Sequence, residues 1–202
     1  MVQNIRKLKI SVIVPTLNEA ENLPLLLSDL SSFSESIELI IIDGGSQDKT
    51  KLIGELYGAN IFSSKLANRG YQLNYGANKS NSEYFLFLHT DSRISKQSLH
   101  YLQKAIQLEE FKKSAWFFNF RVLEKGLMFR FLEMAVYIRS HIFKEPYGDQ
   151  GLMISRDLYY SIGGYKHLYV MEDLDLVLRL SKSKKLKCLG FALITSSRKW
   201  NK

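Results

Sequence analysis

Hydrophobic positions along the chain fall into short apolar runs that alternate with longer amphipathic stretches. Residues 9–14 (Lys-Ile-Ser-Val-Ile-Val) form a β-branched run halted by Pro15, which predicts a buried strand. Asn18, just ahead of Glu19, Ala20 and Glu21, reads as the start of a helix carrying Leu23, Leu26, Leu27 and Leu30. A second apolar run, 37–42, stops at Asp43-Gly44-Gly45-Ser46, after which Asp48 opens a helix through Leu52, Ile53 and Leu56. A short strand at 60–63, a helix over 69–78, a strand over 84–88 ending at His89-Thr90-Asp91, and a helix over 96–108 complete the first half.

The second half is less regular. The spacing predicts a strand over 115–122, a helical stretch over 125–143, a strand over 152–155, a short helix ending at Gly163-Gly164, and a helix beginning at Met171-Glu172-Asp173. Strands alternating with helices at this spacing imply βαβ units and a mostly parallel central sheet flanked by helices, an α/β fold. Thr16, Glu19, Asp43 and Asp91 follow directly on strands, and open α/β sheets bind ligands at that carboxyl edge. No linker, repeat or low-complexity tract divides the 202 residues, so one domain is expected.

Charge narrows the partners. With 28 Lys and Arg against 20 Asp and Glu, the formal net charge is +8. Phosphorylated small molecules and anionic membrane surfaces suit that balance. Nucleic acid ranks last, because no RNP, zinc-finger or helix-turn-helix pattern is present. The single cysteine, Cys188, can form no internal disulfide, and no apolar leader or run of about 20 apolar residues is visible. A cytoplasmic location is expected, with contact at the inner membrane face as an option.

Several side chains are candidates for chemistry. Asp43 closes a hydrophobic strand where a carboxylate can accept hydrogen bonds from a ribose or base edge, beside glycines that admit a ligand to the backbone. The run is neither a P-loop nor a dinucleotide fingerprint. Asp91 stands where a hard divalent cation can bridge it to a diphosphate; the bland alternative is a turn cap. His89 reads equally as a ligand or as a structural residue. Arg69, at a helix start, and Lys65 nearby are candidate phosphate contacts, against the reading of a solvated basic loop. Glu172 and Asp173 are either favourable helix N-terminal charges or an acid/base pair, while Asp175 and Arg179 read as a surface ion pair. The apolar stretch 127–143 suits a core helix or homodimer contact, or, with its mixed basic and aromatic residues, a membrane interface.

Taken in order, Val-Ile-Val-Pro-Thr-Leu-Asn-Glu (12–19), Ile-Asp-Gly-Gly-Ser-Gln-Asp-Lys-Thr (42–50), Leu-His-Thr-Asp-Ser (88–92), Gly-Asp-Gln-Gly (148–151), Gly-Gly-Tyr (163–165), Met-Glu-Asp-Leu-Asp-Leu (171–176) and Ser-Arg-Lys-Trp (197–200) resemble a family 2 glycosyltransferase of the GT-A fold. The resemblance implies transfer of a sugar from a nucleoside-diphosphate sugar to a sugar, lipid or other hydroxyl acceptor. It casts Pro15, Thr16, Glu19 and Asp43 as nucleoside contacts, and Asp91 as the metal-binding member of an Asp-x-Asp motif. The first position of that motif is His89 here, as in the compact radical-SAM- and selenodomain-associated subgroup that the chain resembles. A divalent Mn²⁺ or Mg²⁺ is implied. Asp173 becomes the base of an inverting enzyme with Glu172 beside it; Gly148, Asp149 and Gln150 line the acceptor side; Arg198 and Trp200 end an Arg-Trp motif facing the diphosphate. Residues 1–110 become the nucleotide-sugar half and 111–202 the acceptor and base half. The further C-terminal segment that the resemblance implies is not part of these 202 residues. A nucleotidyltransferase would carry a Gly-rich basic loop where Thr16-Leu17-Asn18-Glu19 stands, and a non-catalytic sugar-nucleotide-binding module would have no use for Glu172 and Asp173.

Overall fold

In the computed structural model, which describes residues 10–196, the apolar runs become strands β1 (Ile10–Thr16), β2 (Ile37–Asp43), β3 (Asn60–Ser63) and β4 (Tyr84–Phe87). They pair in parallel in the order β3-β2-β1-β4, with Thr16 opposite Asp43. The chain builds β1 to β3 in one direction and then returns to place β4 on the other side of β1. That reversal is a topological switch point, where neighbouring connections diverge and leave a crevice beyond the strand ends. Pro15 belongs to β1 rather than ending it. Pairing with β4 runs only to Ile13, with Leu88 N donating to Ile13 O at 3.2 Å. Pro15 therefore sits where the strand is already an edge on that side, and its missing N–H leaves no ladder partner wanting.

Helices α1 (Leu23–Ser31), α2 (Thr50–Leu56), α3 (Arg69–Lys79) and α4 (Lys96–Ala105) follow strands in the first half. Successive residues of a strand face opposite sides. Val12, Val14 and Leu86 thus pack with Leu26, Leu30 and Leu102, whereas Ile13, Ile42 and Phe87 pack with Leu73 and Ala77 on the other side. The helix expected to begin at Asn18 starts at Leu23, five residues later. Asn18 takes a left-handed conformation (φ 54°), which asparagine tolerates, and its Oδ1 accepts from Gln47 N at 2.8 Å. On α3, a Cβ on Gly76 would lie 2.5 Å from Ile13 Cγ2 and 3.1 Å from Ile42 Cγ1. Gly76→Ala is therefore expected to cost about 1–3 kcal/mol by overpacking, read as a lower urea midpoint with an unchanged slope.

The second half adds α5 (Glu109–Lys112), β6 (Ala115–Val122), α6 (Leu127–His141), a 3-10 turn Gly148–Gln150, β7 (Leu152–Ser155), α7 (Arg156–Ser161), α8 (Glu172–Lys182) and β8 (Leu186–Thr195). The two-residue β5 (Ser92–Arg93) follows β4. All eight strands belong to one sheet, ordered β3-β2-β1-β4-β7-β6-β8-β5. The second half makes it mixed: β7 is antiparallel to β4 and β6, β8 is parallel to β6, and β5 is antiparallel to β8.

The strands β5 and β8 and the short helix α5 lie outside the elements that periodicity predicted. In a flat sheet β5 would stand roughly 19 Å from β4, whereas the five steps from Phe87 to Ser92 span about 17 Å at full stretch. That connection also contains a turn, Ser92 N to His89 O. The sheet must therefore curl. It does so where the β6–β8 register slips between Phe117 and Asn119, opposite Gly190 at φ 80°. A bulge there bends the strand pair and returns the end of β8 over the carboxyl rim. No described helix is long and apolar enough to cross a membrane.

Candidate active site

The ends of β1 and β2 are laced together. The Asp43 side chain is 0% exposed and accepts from Gly45 N (3.0 Å), Ser46 N (2.9 Å), Ser46 Oγ (2.5 Å) and Thr16 Oγ1 (3.1 Å). Burial pushes its carboxyl pKa up, but these hydrogen bonds together outweigh that and hold it below the ordinary value. Gly45, at φ 103°, supplies the turn they close. Asn18 N donates to Ser46 Oγ, Glu19 N to Thr50 Oγ1, and Ala20 N to Asp48. The Glu19 carboxylate accepts from Asn22 Nδ2 at 2.7 Å. Read from the sequence as a nucleoside contact, Asp43 here holds the loop to the end of β1, accepting from Gly45 and Ser46 of the loop and from Thr16, with Lys51 Nζ of α2 3.5 Å from its Oδ2.

Helix α3 joins this rim to the acidic pair. Its buried Gln72 donates to both Thr16 O (3.0 Å) and Ile42 O (2.8 Å). Sequence reasoning missed this residue, whose only signal is a polar side chain on a helix face shared with Leu73 and Ala77. At its start, Arg69 binds Glu172 through Nε and reaches Asp173 Oδ2 at 3.2 Å through Nη2. Glu172 and Asp173 are only 2% and 6% exposed, so two buried carboxylates demand a counter-charge, and Arg69 supplies it. Burial opposes the Arg69 charge, yet Asp173 and Glu172 raise its pKa. Its guanidinium is thus directed at these carboxylates, while Lys65 is exposed in the β3–α3 loop.

Asp173 is the most perturbed acid on this rim. Burial first, then the neighbouring Glu172 and Asp149 charges, push its pKa up to about 6, with Arg69 and the Tyr165 hydroxyl pulling the other way. Its Oδ1 is buried with no hydrogen-bond partner. Residue 171, immediately before α8, is held left-handed (φ 60°), an unusual conformation for methionine and a local strain beside the acid pair. Arg69, His89, Tyr147, Gly148, Asp149 and Asp173 line one cleft of about 180 Å³. A Cβ on Gly148 would collide with Asp173 Oδ2 and lie 2.6 Å from His89 Nε2. Tyr165, missed as an individual residue although its Gly-Gly-Tyr motif stood out, backs Asp173 with Leu73 and Val177.

Pro15, Thr16, Glu19, Asp43 and Asp91 stand along the same carboxyl rim, at the ends of β1, β2 and β4. Gln150, read as an acceptor contact, is 1% exposed. It donates to Phe118 O at 3.0 Å and accepts from Ser140 Oγ at 2.6 Å, so it anchors the 3-10 turn to β6 and α6. Arg179 is more than the surface partner of Asp175: it also donates to Ile162 O and Gly164 O, pinning the Gly-Gly turn to α8. Arg198 and Trp200 lie outside the described residues.

Arg69→Gln is expected to raise the Asp173 pKa further, because the largest downward influence on it is removed. It should also destabilise the fold by about 3–5 kcal/mol, the usual result of stripping a buried carboxylate of its partner. Chemical denaturation and a proton titration of Asp173 by NMR read the two effects.

A parallel β-α-β half extended by antiparallel strands, with acidic groups gathered at its switch point, is the GT-A fold. The chain belongs to glycosyl transferase family 2, whose profile it matches over residues 11–144. It is 33% identical over 105 residues to the 4,4'-diaponeurosporenoate glycosyltransferase of Staphylococcus haemolyticus, an alignment covering 48% of this chain and 28% of that protein. The fold matches S. aureus TarS in complex with UDP-GlcNAc at a TM-score of 0.72 and 18% identity, over 93% of this chain and 58% of that one. It also matches glucosyl-3-phosphoglycerate synthase from Mycobacterium tuberculosis, in complex with Mn²⁺, UDP and phosphoglyceric acid, at 0.67 and 18% identity, over 91% and 69%.

Proposed function

We propose that this chain transfers a sugar from a nucleoside-diphosphate sugar to an acceptor hydroxyl by a single displacement, with Asp173 as the base. The observation carrying this reading is the placement of Asp173: buried, raised in pKa to about 6, and facing a cleft it shares with His89, Asp149 and Gly148. A base near that value is ionised at neutral pH yet basic enough to take up the proton as the hydroxyl attacks. Attack opposite the leaving group inverts the anomeric centre, and no covalent nucleophile is needed. Residues 10–110 hold the nucleotide sugar and 111–196 bring the acceptor and base. On the donor side Pro15, Thr16 and Glu19 border the nucleoside, with Asp43 acting through the loop it organises. Family membership and a fold shared with UDP-sugar-bound structures support the donor class.

Among the described residues, no three His, Cys, Asp or Glu side chains form a self-sufficient metal cage. A sparse set of oxygen donors suits Mg²⁺ or Mn²⁺, which bind one or two carboxylates and complete their shell with substrate phosphates and water. Asp91, with His89 two residues before it, would hold such an ion, whose charge offsets that on the departing diphosphate. The Mn²⁺ in the mycobacterial synthase supports this assignment.

Incubation with a panel of nucleotide sugars and Mn²⁺ should release nucleoside diphosphate, and NMR of the product should show an inverted anomeric centre; retention would overturn the single displacement. Asp91→Ala should weaken nucleoside-diphosphate binding at least tenfold with Mn²⁺ present and have little effect in a chelator. Equal losses in both conditions would remove Asp91 from the metal site.

A further inference from the structure

Helix α6 is apolar on both sides. Its inner face, with Phe129, Leu132 and Val136, packs on Phe120 and Val122. Its outer face carries Leu127, Phe131, Met134, Ile138 and Ile142, spaced at four, seven, eleven and fifteen residues from the first, so they form one stripe along the helix. Phe131 is 74% exposed, and Phe143 continues the apolar surface beyond the helix. A contiguous apolar stripe of this kind marks an interaction surface. Every exposed charge in the segment 121–144 is basic: Arg121, Lys125, Arg130 and Lys144. The acidic residues there are half-buried, Glu133 being tied to Val122 N and Arg130.

Position relative to the cleft adds a second observation. Arg139, near the end of α6, stacks on Tyr147 with its guanidinium 3.6 Å from the ring centre, and Tyr147 lines the cleft. Met171 lines the same cleft and ends another exposed apolar run, in which Tyr169 is 97% exposed. Apolar surface thus leads into the acceptor side from both segments.

We propose that the outer face of α6 rests on an anionic lipid bilayer, its apolar stripe entering the headgroup boundary and its basic fringe meeting lipid phosphates. A peripheral helix with apolar and aromatic residues bordered by Lys and Arg binds in this way. Charge decides against a second copy of the chain as occupant: each carries a net +8, and pairing these faces would oppose basic fringes. Resting on the transfer reading, the proposal makes the acceptor hydroxyl one borne by a lipid.

The test is co-sedimentation of the whole chain with phosphatidylcholine vesicles, with or without phosphatidylglycerol. The protein should pellet with the anionic vesicles and release as salt is raised. Phe131→Ser combined with Ile138→Ser, and separately Lys125→Glu combined with Lys144→Glu, should each weaken binding at least tenfold. Circular dichroism, Tm and nucleoside-diphosphate release in solution should stay unchanged. Wild-type protein that remains in the supernatant, or variants that pellet as well as wild type, would overturn the proposal. So would an apolar double variant that converts a dimer to monomer in analytical ultracentrifugation, because the face would then be a self-contact. Binding is also read on Asp173→Asn: pelleting supports this face whether or not the variant turns over, so the two readings fail separately.

Discussion

Asp173→Asn is expected to suppress sugar transfer and, at neutral pH, to make the protein more stable. The first effect follows from removing the proton acceptor, and a loss of 10²–10⁴-fold in kcat is the usual scale for a general base. The second follows from burial. The Asp173 pKa rises from 3.8 to about 6, so keeping it ionised inside the fold costs roughly 3 kcal/mol relative to water. An amide of the same shape escapes that cost. Between pH 4 and 6 the unfolded chain has already lost this proton while the folded chain retains it, so wild-type stability falls as pH rises through that window and is level above it. The variant should therefore match wild type near pH 4 and exceed it at pH 7.5 by on the order of 2 kcal/mol, a Tm gain of roughly 5 °C. Wild-type kcat should follow an ascending limb centred near pH 6. Normal turnover by the variant, or a Tm difference independent of pH, would remove Asp173 from its assigned role.

Gly148→Ala should lower kcat at least 100-fold while leaving nucleotide affinity measured without metal close to wild type. The added methyl would collide with both Asp173 Oδ2 and His89 Nε2, so both side chains, or the turn that carries the methyl, must shift by about an ångström. Misplacing a reacting group by that distance costs about two orders of magnitude. The loop around Asp43 lies on the other part of the rim and should not respond. Isothermal titration of nucleoside diphosphate, beside steady-state rates, separates the two effects; wild-type kcat would mean that the cleft reorganises before chemistry.

Much of the fold was legible because β1, β2 and β4 are short, mostly apolar runs that stop at a polar turn. β8 was not. Lys187 and Gly190 interrupt its apolar positions, and the bulge at Gly190 resets the alternation, so only pairing with β6 makes the segment a strand. β5 exists only through its contact with β8. For the site, the sequence marks which polar residues stand at strand ends but not the direction in which they face. Asp43 and Gln150 are polar groups at turns, and the same spacing serves a residue that meets a ligand and one that holds the loop beneath it. Arg69 shows the complementary difficulty. A cation at a helix start suits a phosphate until the fold brings Glu172 and Asp173, about a hundred residues downstream, within its reach.

The pairing of Ser92 with Thr195 has a consequence for synthesis. Asp91 is translated early, yet the strand that straps its neighbour to the rim leaves the ribosome only after the whole acidic helix has emerged. While domains condense from the N-terminal side as they are made, this carboxylate stays loosely held, and nascent chains should bring Asp91 to its final position only once Thr195 has emerged.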